Sequence, residues 1–377
     1  MNTFCEYFDK SLCRSCHLIP MSYENQIIQK ESLLLNKLNI TKDLLLPTIT
    51  SNPLGFRNKV KLAVGLANGK ITFGIVDKNG NSTDLSACPV QHPQINLMLP
   101  VIRSFIELTK LSVYHPTTQK GELKNLIIYF NPHTHESYLR FVLRSKEAHS
   151  RLIKYQDVLL QEISHLKVIT INIQPSPHPI LEGEEEIVLT KITHLNHQLG
   201  EIHFKLSSQG FVQTNLEVSQ QLYQSASHWI KDLNSKTFLE LFSGQGAFSF
   251  FAAAHVKKAL GIEINSSAVE SANLSAKELN LSHLTFKCLD AKDIQEEITH
   301  FAPELILANP PRRGLAESIE LINNSHCEYF IYSSCNFETL ASDIRALSNF
   351  KIEKAQIFDM FAHTEHFETL VLLKKIT

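Results

Sequence analysis

The sequence predicts an α/β protein in which a domain built on a largely parallel sheet follows an α+β domain. Two observations predict this arrangement. After about residue 210, apolar runs of five or six residues alternate with helical stretches, which is typical of βαβ units. Before about residue 205 the pattern is mainly one of strands, with few helical stretches among them. A chain of 377 residues is long enough for each region to have its own core.

Residues 1–50 are predicted to form an N-terminal segment with one helix. The first 20 residues are irregular and rich in cysteine, and residues 23–39 place apolar side chains at mixed helical spacing. Three cysteines of this segment, spaced C-x7-C-x2-C, and one beyond it form a candidate metal-binding set: Cys5, Cys13, Cys16 and Cys88. Four thiolates can hold zinc or an iron–sulfur cluster, and the spacing alone does not choose between them.

Residues 51–205 are predicted to form the α+β domain. Its expected strands are 59–66, 71–76, 123–129, 137–143 and 168–173, and its expected helices lie near 94–111 and 148–164. Because Cys88 falls in this domain, a site on all four cysteines would tie the N-terminal segment to it.

Residues 206–377 are predicted to form the domain with the largely parallel sheet. Its expected strands are 238–242, 259–264, 284–288, 305–308, 330–332, 351–358 and 369–374. In open α/β sheets, ligands bind at the carboxyl ends of the strands. Candidate functional residues are therefore the polar ones directly after each strand.

The first strand of this domain ends in a glycine turn that can approach a ligand closely. Phe242 is followed by Ser-Gly-Gln-Gly, which begins the turn at Gly244. Glu263 lies about 20 residues further on, at the offset where a carboxylate accepts hydrogen bonds from ribose hydroxyls. The third glycine of a dinucleotide-binding turn is absent, so S-adenosylmethionine, which has no phosphate, fits better than a dinucleotide. Two further strands end at polar residues, Asp290 and Asn309.

Two later segments are the most distinctive in the chain. One is Asn309-Pro310-Pro311-Arg312-Arg313-Gly314, and the other is Ser333-Ser334-Cys335-Asn336. One strand end thus offers an amide and two arginines, and the next offers a thiol. This combination suits a nucleophile that works beside a cofactor pocket on a polyanionic substrate. Taken alone, Cys335 is as consistent with a buried structural thiol.

Together these segments resemble the RNA uracil-C5-methyltransferases. The resemblance extends over nearly the whole chain and includes Gly210-Phe211-Val212-Gln213-Thr214-Asn215 and His366-Phe367-Glu368-Thr369. It implies that residues 206–377 form a Rossmann-like class I S-adenosylmethionine-dependent methyltransferase domain. It also implies that Cys335 is the catalytic nucleophile and Glu368 the general base. The implied cofactor-binding residues are Gln213, Phe242, Glu263 and Asn309.

The resemblance also implies a [4Fe–4S] cluster on the four N-terminal cysteines, with the α+β domain closing the site through Cys88. Within the family, the likeness is to the bacterial enzymes that methylate 23S rRNA, since the tRNA enzymes lack this cysteine set. Two alternatives stay open: uracil-C5 methylation of tRNA, and a non-catalytic iron–sulfur protein that binds RNA. The intact Cys335 and Glu368 argue against the second.

The chemistry of uracil C5 methylation sets further expectations. Carbon 5 becomes nucleophilic only after a thiolate adds to carbon 6, so the cysteine needs a lowered pKa, for which nearby arginines are the expected cause. A stacked uracil is out of reach, so the target lies in a loop or is flipped out. Arg312 and Arg313 are then expected to hold backbone phosphates near the pocket.

Composition limits where such a protein works. The formal net charge of −2 argues against non-specific binding of nucleic acid by the whole surface and leaves room for a local basic groove. The N-terminus resembles no secretory signal and no stretch is long and apolar enough for a membrane span, so we expect a cytoplasmic protein without a membrane partner. No obligate protein partner is expected. The seven cysteines are an odd number, which makes disulfides a poor expectation.

Overall fold

The computed structural model describes residues 3–176 and 181–376. The chain divides into two compact units. Unit 1 comprises Met1–Cys16, Pro53–Gln198 and Leu206–Leu216, and unit 2 comprises His17–Asn52, Leu199–Lys205 and Glu217–Thr377. This grouping differs from the three predicted segments, because most of the N-terminal segment belongs with the C-terminal sheet.

Each predicted strand has a counterpart with similar bounds among the described residues. The strands are, in chain order, β1 Lys59–Ala67, β2 Lys70–Val76, β3 Ser82–Asp84, β4 Leu123–Asn131, β5 Glu136–Leu143, β6 Leu166–Ile173, β7 Glu185–Val188, β8 His194–Leu199, β9 Ile202–Ser207, β10 Thr237–Leu241, β11 Lys258–Glu263, β12 Leu284–Cys288, β13 Leu305–Ala308, β14 Tyr329–Ser334, β15 Phe350–Phe358 and β16 Glu368–Lys375. Of these, β3, β7, β8 and β9 were not predicted.

Ten α-helices accompany these strands in the described part of the chain. They are α1 Glu6–Asp9, α2 Tyr23–Leu38, α3 Pro93–Leu108, α4 His149–Glu162, α5 Leu216–Leu233, α6 Ala247–Ala252, α7 Ser266–Glu278, α8 Gln295–Phe301, α9 Ser318–Asn324 and α10 Phe337–Ala346. Among these helices, none combines the length and the apolar character that crossing a membrane requires.

Unit 1 is built on a mixed sheet with the strand order β3-β2-β1-β4-β5-β6-β7. Neighbouring strands are antiparallel except β5 and β6, which α4 connects and which run parallel. Buried side chains of α3 and α4, such as Ile102 and Leu159, belong to the same hydrophobic core as those of the sheet. Unit 1 therefore combines a largely antiparallel sheet with helices that share its core.

Unit 2 is built on a sheet with the strand order β12-β11-β10-β13-β14-β16-β15. The strands β10 to β14 are parallel, whereas β15 and β16 form an antiparallel pair beside them. From β10 the chain proceeds outward to β12 and then returns to β13 on the other side of β10. The strand order thus reverses between β10 and β13, and this is where an open α/β sheet forms its ligand crevice.

The edge of the unit 2 sheet is covered by a segment from the N-terminal part of the chain. Isolated bridges pair Leu45 with Ala355 and Ile49 with Phe358, both in parallel orientation. The backbone N–H of Ile49 donates to the carbonyl of Ile357 at 2.9 Å, and that of Asp359 donates to Ile49 at 2.8 Å. The segment 45–49 therefore satisfies backbone groups that β15 would otherwise leave open.

Candidate functional site

Five strands of unit 2 bring their functional ends to one edge of the sheet. Since β10, β11, β13 and β14 are parallel, the residues that follow them lie at the same edge. The strand β16 runs antiparallel to β14 with Ser334 opposite Thr369, so the first residue of β16, Glu368, falls at this edge too. The fold thereby gathers Phe242, Glu263, Asn309, Cys335 and Glu368, which sequence reasoning selected from separate segments.

The glycine turn after β10 is open on one side. Phe242 and Gly244 have φ values of 56° and 54°, and a Cβ built on Gly244 would meet no atom within 4 Å. Glu263 closes the turn from the next strand. Its Oε2 accepts from the N–H of Gly244 at 2.9 Å, and its Oε1 accepts from that of Asn265 at 2.9 Å. The ribose of S-adenosylmethionine could approach the backbone at Gly244 and donate hydrogen bonds to the fixed carboxylate of Glu263.

Asn309 lies across the strand reversal from the glycine turn. Its backbone N–H donates to the carbonyl of Leu241 at 3.3 Å, which joins the ends of β13 and β10. The adjacent Ser243 hydroxyl is buried, and its oxygen has no hydrogen-bond partner among the described residues. A polar ligand in this crevice therefore finds an amide, a carboxylate and an open turn on neighbouring strand ends.

The thiol of Cys335 is half-buried directly after β14. Its pKa is raised, first by burial and then by the nearby charge of Glu368, while Arg312 acts in the opposite direction through its charge and a hydrogen bond. The expectation of a lowered pKa is therefore wrong in this state of the protein, although the predicted arginine contribution is present. Burial disfavours the thiolate more strongly than the guanidinium group of Arg312 favours it.

The carboxyl group of Glu368 is buried, with only 1% of the residue exposed. Burial raises its pKa to about 7, and the hydroxyl of Ser333, which donates to Oε1 at 3.0 Å, opposes this shift. Glu368 is thus not a solvated carboxylate, although it stands at the end of a strand. A carboxyl group with a pKa near neutrality is suited to general-base work at physiological pH.

Two side chains that are not among the predicted site residues hold the arginine-bearing loop 309–314 against the cysteine strand. The Asn336 amide donates to the carbonyl of Arg312 at 2.9 Å. Asp343, on α10, uses one oxygen to accept from the N–H of Leu315 at 2.8 Å and from the hydroxyl of Tyr332 at 2.6 Å. These bonds link the loop, β14 and α10, so the thiol and the arginines keep a fixed relation.

A side chain at Gly314 would disturb the contacts of Asp343 that link the loop 309–314, β14 and α10. Gly314 has a φ of +81°, and an added Cβ would lie 2.4 Å from Oδ2 of Asp343. We expect Gly314→Ala to lower the free energy of unfolding by about 2–4 kcal/mol, since left-handed backbone strain adds to the lost carboxylate contacts. Urea unfolding followed by tryptophan fluorescence measures this loss.

Gly200→Ala is the matched control for Gly314→Ala. Gly200 also belongs to unit 2 and has a φ of +59°, but its added Cβ would approach only the end of the Gln220 side chain, at 3.0 Å. We expect it to cost only the backbone strain of about 1–2 kcal/mol. Equal losses in the two variants would contradict a role for the Asp343 contacts.

Gln213, the remaining predicted cofactor-binding residue, belongs to unit 1 and is buried there. Asn58 holds its segment at two points. The backbone N–H of Asn58 donates to the carbonyl of Thr214 at 2.6 Å, and Oδ1 of Asn58 accepts from the N–H of Leu216 at 3.2 Å. The position of Gln213 is thus well determined within its unit, and its role stays a prediction.

Basic residues that could form an RNA-binding groove differ in their availability. Arg140 is buried in unit 1 and donates to Glu182, Glu186 and the carbonyl of Ser208. Its role is therefore within the fold. By contrast, Arg312 and Arg313 of unit 2 are exposed. They follow β13 and therefore lie at the edge of the candidate site.

The four N-terminal cysteines are all free thiols of unit 1, with Cys5 buried and the others partly exposed. Burial, and then the charges of Cys88, Cys13 and Cys5, raise the pKa of Cys16 to about 11, so the four lie within electrostatic reach of one another. Within residues 3–176 and 181–376, however, no group of three or more His, Cys, Asp or Glu is arranged to hold a metal ion. The number and kind of donors suit a cluster, which stays a prediction.

Comparisons with known proteins identify similar chains. The family model described as tRNA (Uracil-5-)-methyltransferase matches residues 184–376. The 23S rRNA (uracil(747)-C(5))-methyltransferase RlmC of Proteus mirabilis is 39% identical over 367 residues, which cover 96% of each chain. The protein with the same name from Shewanella amazonensis is 37% identical over 98% of this chain and 97% of its own.

A solved structure is similar over most of the fold. It is the Pyrococcus abyssi tRNA (uracil-54, C5)-methyltransferase in complex with S-adenosyl-L-homocysteine. The match has a TM-score of 0.78 and 22% identity, and it covers 95% of this chain and 85% of the other. At this level of identity the likeness shows the fold alone, which is that of a class I S-adenosylmethionine-dependent methyltransferase.

Proposed function

This chain belongs to the tRNA (uracil-5-)-methyltransferase family, and on that premise we propose that it methylates carbon 5 of a uridine in 23S rRNA with S-adenosylmethionine. The observation that carries the proposal is the pairing of Cys335 with the buried Glu368 at one edge of the unit 2 sheet. Their electrostatic interaction and the raised pKa values of both groups are typical of a catalytic pair.

The reaction needs one nucleophile and one base, and both act on the uracil ring. As a thiolate, Cys335 adds through Sγ to carbon 6, and the ring becomes an enolate that is nucleophilic at carbon 5. When bound, S-adenosylmethionine supplies the methyl group for carbon 5. Glu368 then removes the carbon-5 proton, the bond between carbon 6 and Sγ breaks, and the thiolate of Cys335 is regenerated.

The cofactor would be held at the strand reversal of unit 2. We assign the ribose hydroxyls to Glu263, whose oxygens are already oriented by two backbone N–H groups. Phe242 and Asn309, from the two strand ends on either side of the reversal, would line the same crevice. The open side of Gly244 supports this assignment, because a ligand can approach the backbone there. Gln213, which belongs to unit 1, stays a proposed cofactor-binding residue on the family resemblance alone.

The RNA substrate is proposed from the full-length relatives, whose names specify uracil 747 of 23S rRNA. We propose the equivalent uridine here, presented in a loop or flipped out of its stack. The exposed Arg312 and Arg313 would contact backbone phosphates beside it. Such an enzyme would work in the cytoplasm, without an obligate protein partner.

Methyl transfer to defined RNAs tests the substrate. The protein is incubated with S-adenosylmethionine labelled in its methyl group and a 23S rRNA fragment that contains uridine 747. We expect label in this fragment, and none when the uridine is replaced by cytidine. Label in tRNA and not in the rRNA fragment would establish the tRNA alternative. No label in either RNA, from protein that binds S-adenosylmethionine, would contradict uracil methylation.

We further propose that Cys5, Cys13, Cys16 and Cys88 hold a [4Fe–4S] cluster, which would cross-link the first residues of unit 1 to the loop after β3. The two segments already meet, since the N–H of Ala87 donates to the Tyr7 hydroxyl at 3.0 Å. Four thiols within electrostatic reach supply the donors that such a cluster requires. The cluster would act as a structural tie, as it adds no residue to the methyl-transfer chemistry.

Metal analysis of protein purified without oxygen tests this cluster. We expect iron and acid-labile sulfide in equal amounts, and loss of both in Cys88→Ser. The matched control is Cys288→Ser, which alters an exposed thiol of unit 2 and should keep the full content. Zinc in place of iron would identify a zinc site. Protein that is isolated without any metal, and in which all four thiols react with alkylating reagents, would exclude both the cluster and a zinc site.

A further inference from the structure

We propose that helix α2 positions the general base through three polar side chains, Tyr23, Gln26 and Lys30. These residues bind the segment 359–367, here called the base loop, which connects β15 to the first residue of β16, Glu368. The inference rests on the proposed function, because it assigns a purpose to contacts around the residue that removes the proton. It concerns only unit 2, to which α2, the base loop and Glu368 all belong.

A buried ion pair fixes the start of the base loop. Lys30 Nζ lies 2.5 Å from Oδ1 of Asp359, and the two side chains are 1% and 0% exposed. The hydroxyl of Tyr23 donates to the other carboxylate oxygen of Asp359 at 2.5 Å, and it accepts from the N–H of Ser51 at 2.8 Å. Both oxygens of Asp359 are therefore bound to α2.

The same helix fixes the middle of the base loop. Lys30 Nζ also approaches the carbonyl of Phe361 at 3.3 Å. Oε1 of Gln26 accepts from the backbone N–H of His363 at 3.0 Å, while its amide nitrogen donates to the carbonyls of Leu18 and Met21 at 3.0 Å each. His363 has a φ of 67°, a left-handed conformation that is strained for a residue with a side chain and that the surrounding contacts hold in place.

The three side chains form one face of α2, at positions i, i+3 and i+7. Two of them are almost fully buried, which is uncommon for lysine and glutamine unless they are paired. A buried ion pair contributes little net stability compared with well-packed apolar residues, so its best-supported use is to specify one arrangement. In this protein the ion pair would specify the path of the base loop. The base loop ends at Glu368, which pairs with Phe358 across β15 and β16, so its path determines where the carboxylate lies.

A role of α2 in positioning Glu368 can be distinguished from a role in stabilising the fold, because the two roles affect different steps of the reaction. If α2 places Glu368, removing Lys30 slows proton removal and leaves addition of Cys335 and methyl transfer unchanged. A single-turnover reaction on unmodified uridine RNA, stopped in denaturant, then shows the methylated protein–RNA adduct accumulating. We expect adduct breakdown in Lys30→Met to slow by about 10- to 100-fold, as for a catalytic group displaced by roughly 1 Å. A loss of fold alone lowers the amount of active protein and leaves this rate unchanged.

Lys37→Met is the matched control. Lys37 lies on the same helix and pairs with Glu338 at 2.6 Å, but both side chains are well exposed. We expect its adduct to break down at the wild-type rate.

Because Lys30→Met leaves the Asp359 charge buried and unpaired, a second variant, Lys30→Met with Asp359→Asn, removes both charges and keeps an acceptor for Tyr23. Gln26→Leu tests the second contact with the ion pair intact.

The outcomes distinguish the inference from the proposed function. Accumulation of adduct in the double variant or in Gln26→Leu, with none in Lys37→Met, supports the positioning role. Wild-type breakdown rates in all the α2 variants would overturn it. If the wild-type protein itself forms no adduct with RNA that contains 5-fluorouracil at the target position, the covalent mechanism fails and the positioning role fails with it.

Discussion

Replacement of Cys335 by alanine is expected to abolish methyl transfer and to eliminate the covalent adduct with 5-fluorouracil RNA. Without the thiol no group can add to carbon 6, so carbon 5 keeps its low nucleophilicity. We expect the rate to fall by at least roughly 10⁴-fold, as for the removal of other covalent nucleophiles. The measurements are single-turnover methyl transfer and a denaturing gel, on which the fluorinated adduct appears as a slower band because fluorine cannot leave as a proton.

Cys288→Ala provides the comparison for this variant, since it removes an exposed thiol of the same unit. It should keep both the activity and the adduct. The raised pKa of Cys335 adds a pH dependence to the wild-type reaction. The rate of adduct formation should rise with pH above neutrality, as the thiolate fraction grows. Methyl transfer that persists in Cys335→Ala would exclude the covalent mechanism.

Replacement of Glu368 by glutamine is expected to trap the methylated adduct on ordinary uridine. The thiol can still add and the methyl group can still be transferred, but no carboxylate removes the carbon-5 proton. We expect turnover to fall by roughly 10²- to 10⁴-fold while a stable protein–RNA band appears without any fluorinated base. Glu365→Gln, an exposed carboxyl group three residues earlier, should leave turnover unchanged.

The pKa of Glu368 predicts two pH effects of opposite sign. Because its pKa is about 7, the wild-type rate should fall as the pH drops below neutrality and the carboxylate is protonated. Stability follows the reverse course: a carboxyl group with a raised pKa binds more protons when folded, so folding weakens as the pH rises from about 4.5 to about 7. Glu368→Gln should therefore raise the melting temperature at pH 8 and change it little at pH 4. Equal melting temperatures at pH 8 would contradict the burial of this charge.

Much of this site could be predicted because most of its members stand at the carboxyl end of a strand that the apolar pattern reveals. Parallel strands carry their carboxyl ends to one edge, so Glu263, Asn309 and Cys335 could be expected to meet before any coordinates were known. Glu368 differs, since it is the first residue of its strand, β16. It reaches the same edge only because β16 is antiparallel, and its burial depends on neighbours that are distant in sequence.

What escaped prediction depends on long-range polar contacts. Apolar spacing indicates α2 as a helix, but it gives no sign that Gln26 and Lys30 face inward, because their partners in the base loop lie more than 300 residues away. The same holds for Asp343, whose contacts with Leu315 and Tyr332 arise only once α10 has packed on the sheet. The sequence also predicts the wrong direction for the pKa of Cys335. The arginines near it are visible in the sequence, but the burial of its thiol, which raises the pKa, arises only in the folded chain.

The covered edge of the unit 2 sheet has a consequence for the order in which the protein folds. Segment 45–49 leaves the ribosome early, whereas its partner β15 is among the last strands to be made. Contacts of such long sequence separation form late and slow folding. Unit 1 can therefore assemble during synthesis, but unit 2 must wait until β15 and β16 have emerged. Until then α2 carries a lysine without its carboxylate, so the candidate catalytic edge is the last part of the protein to mature.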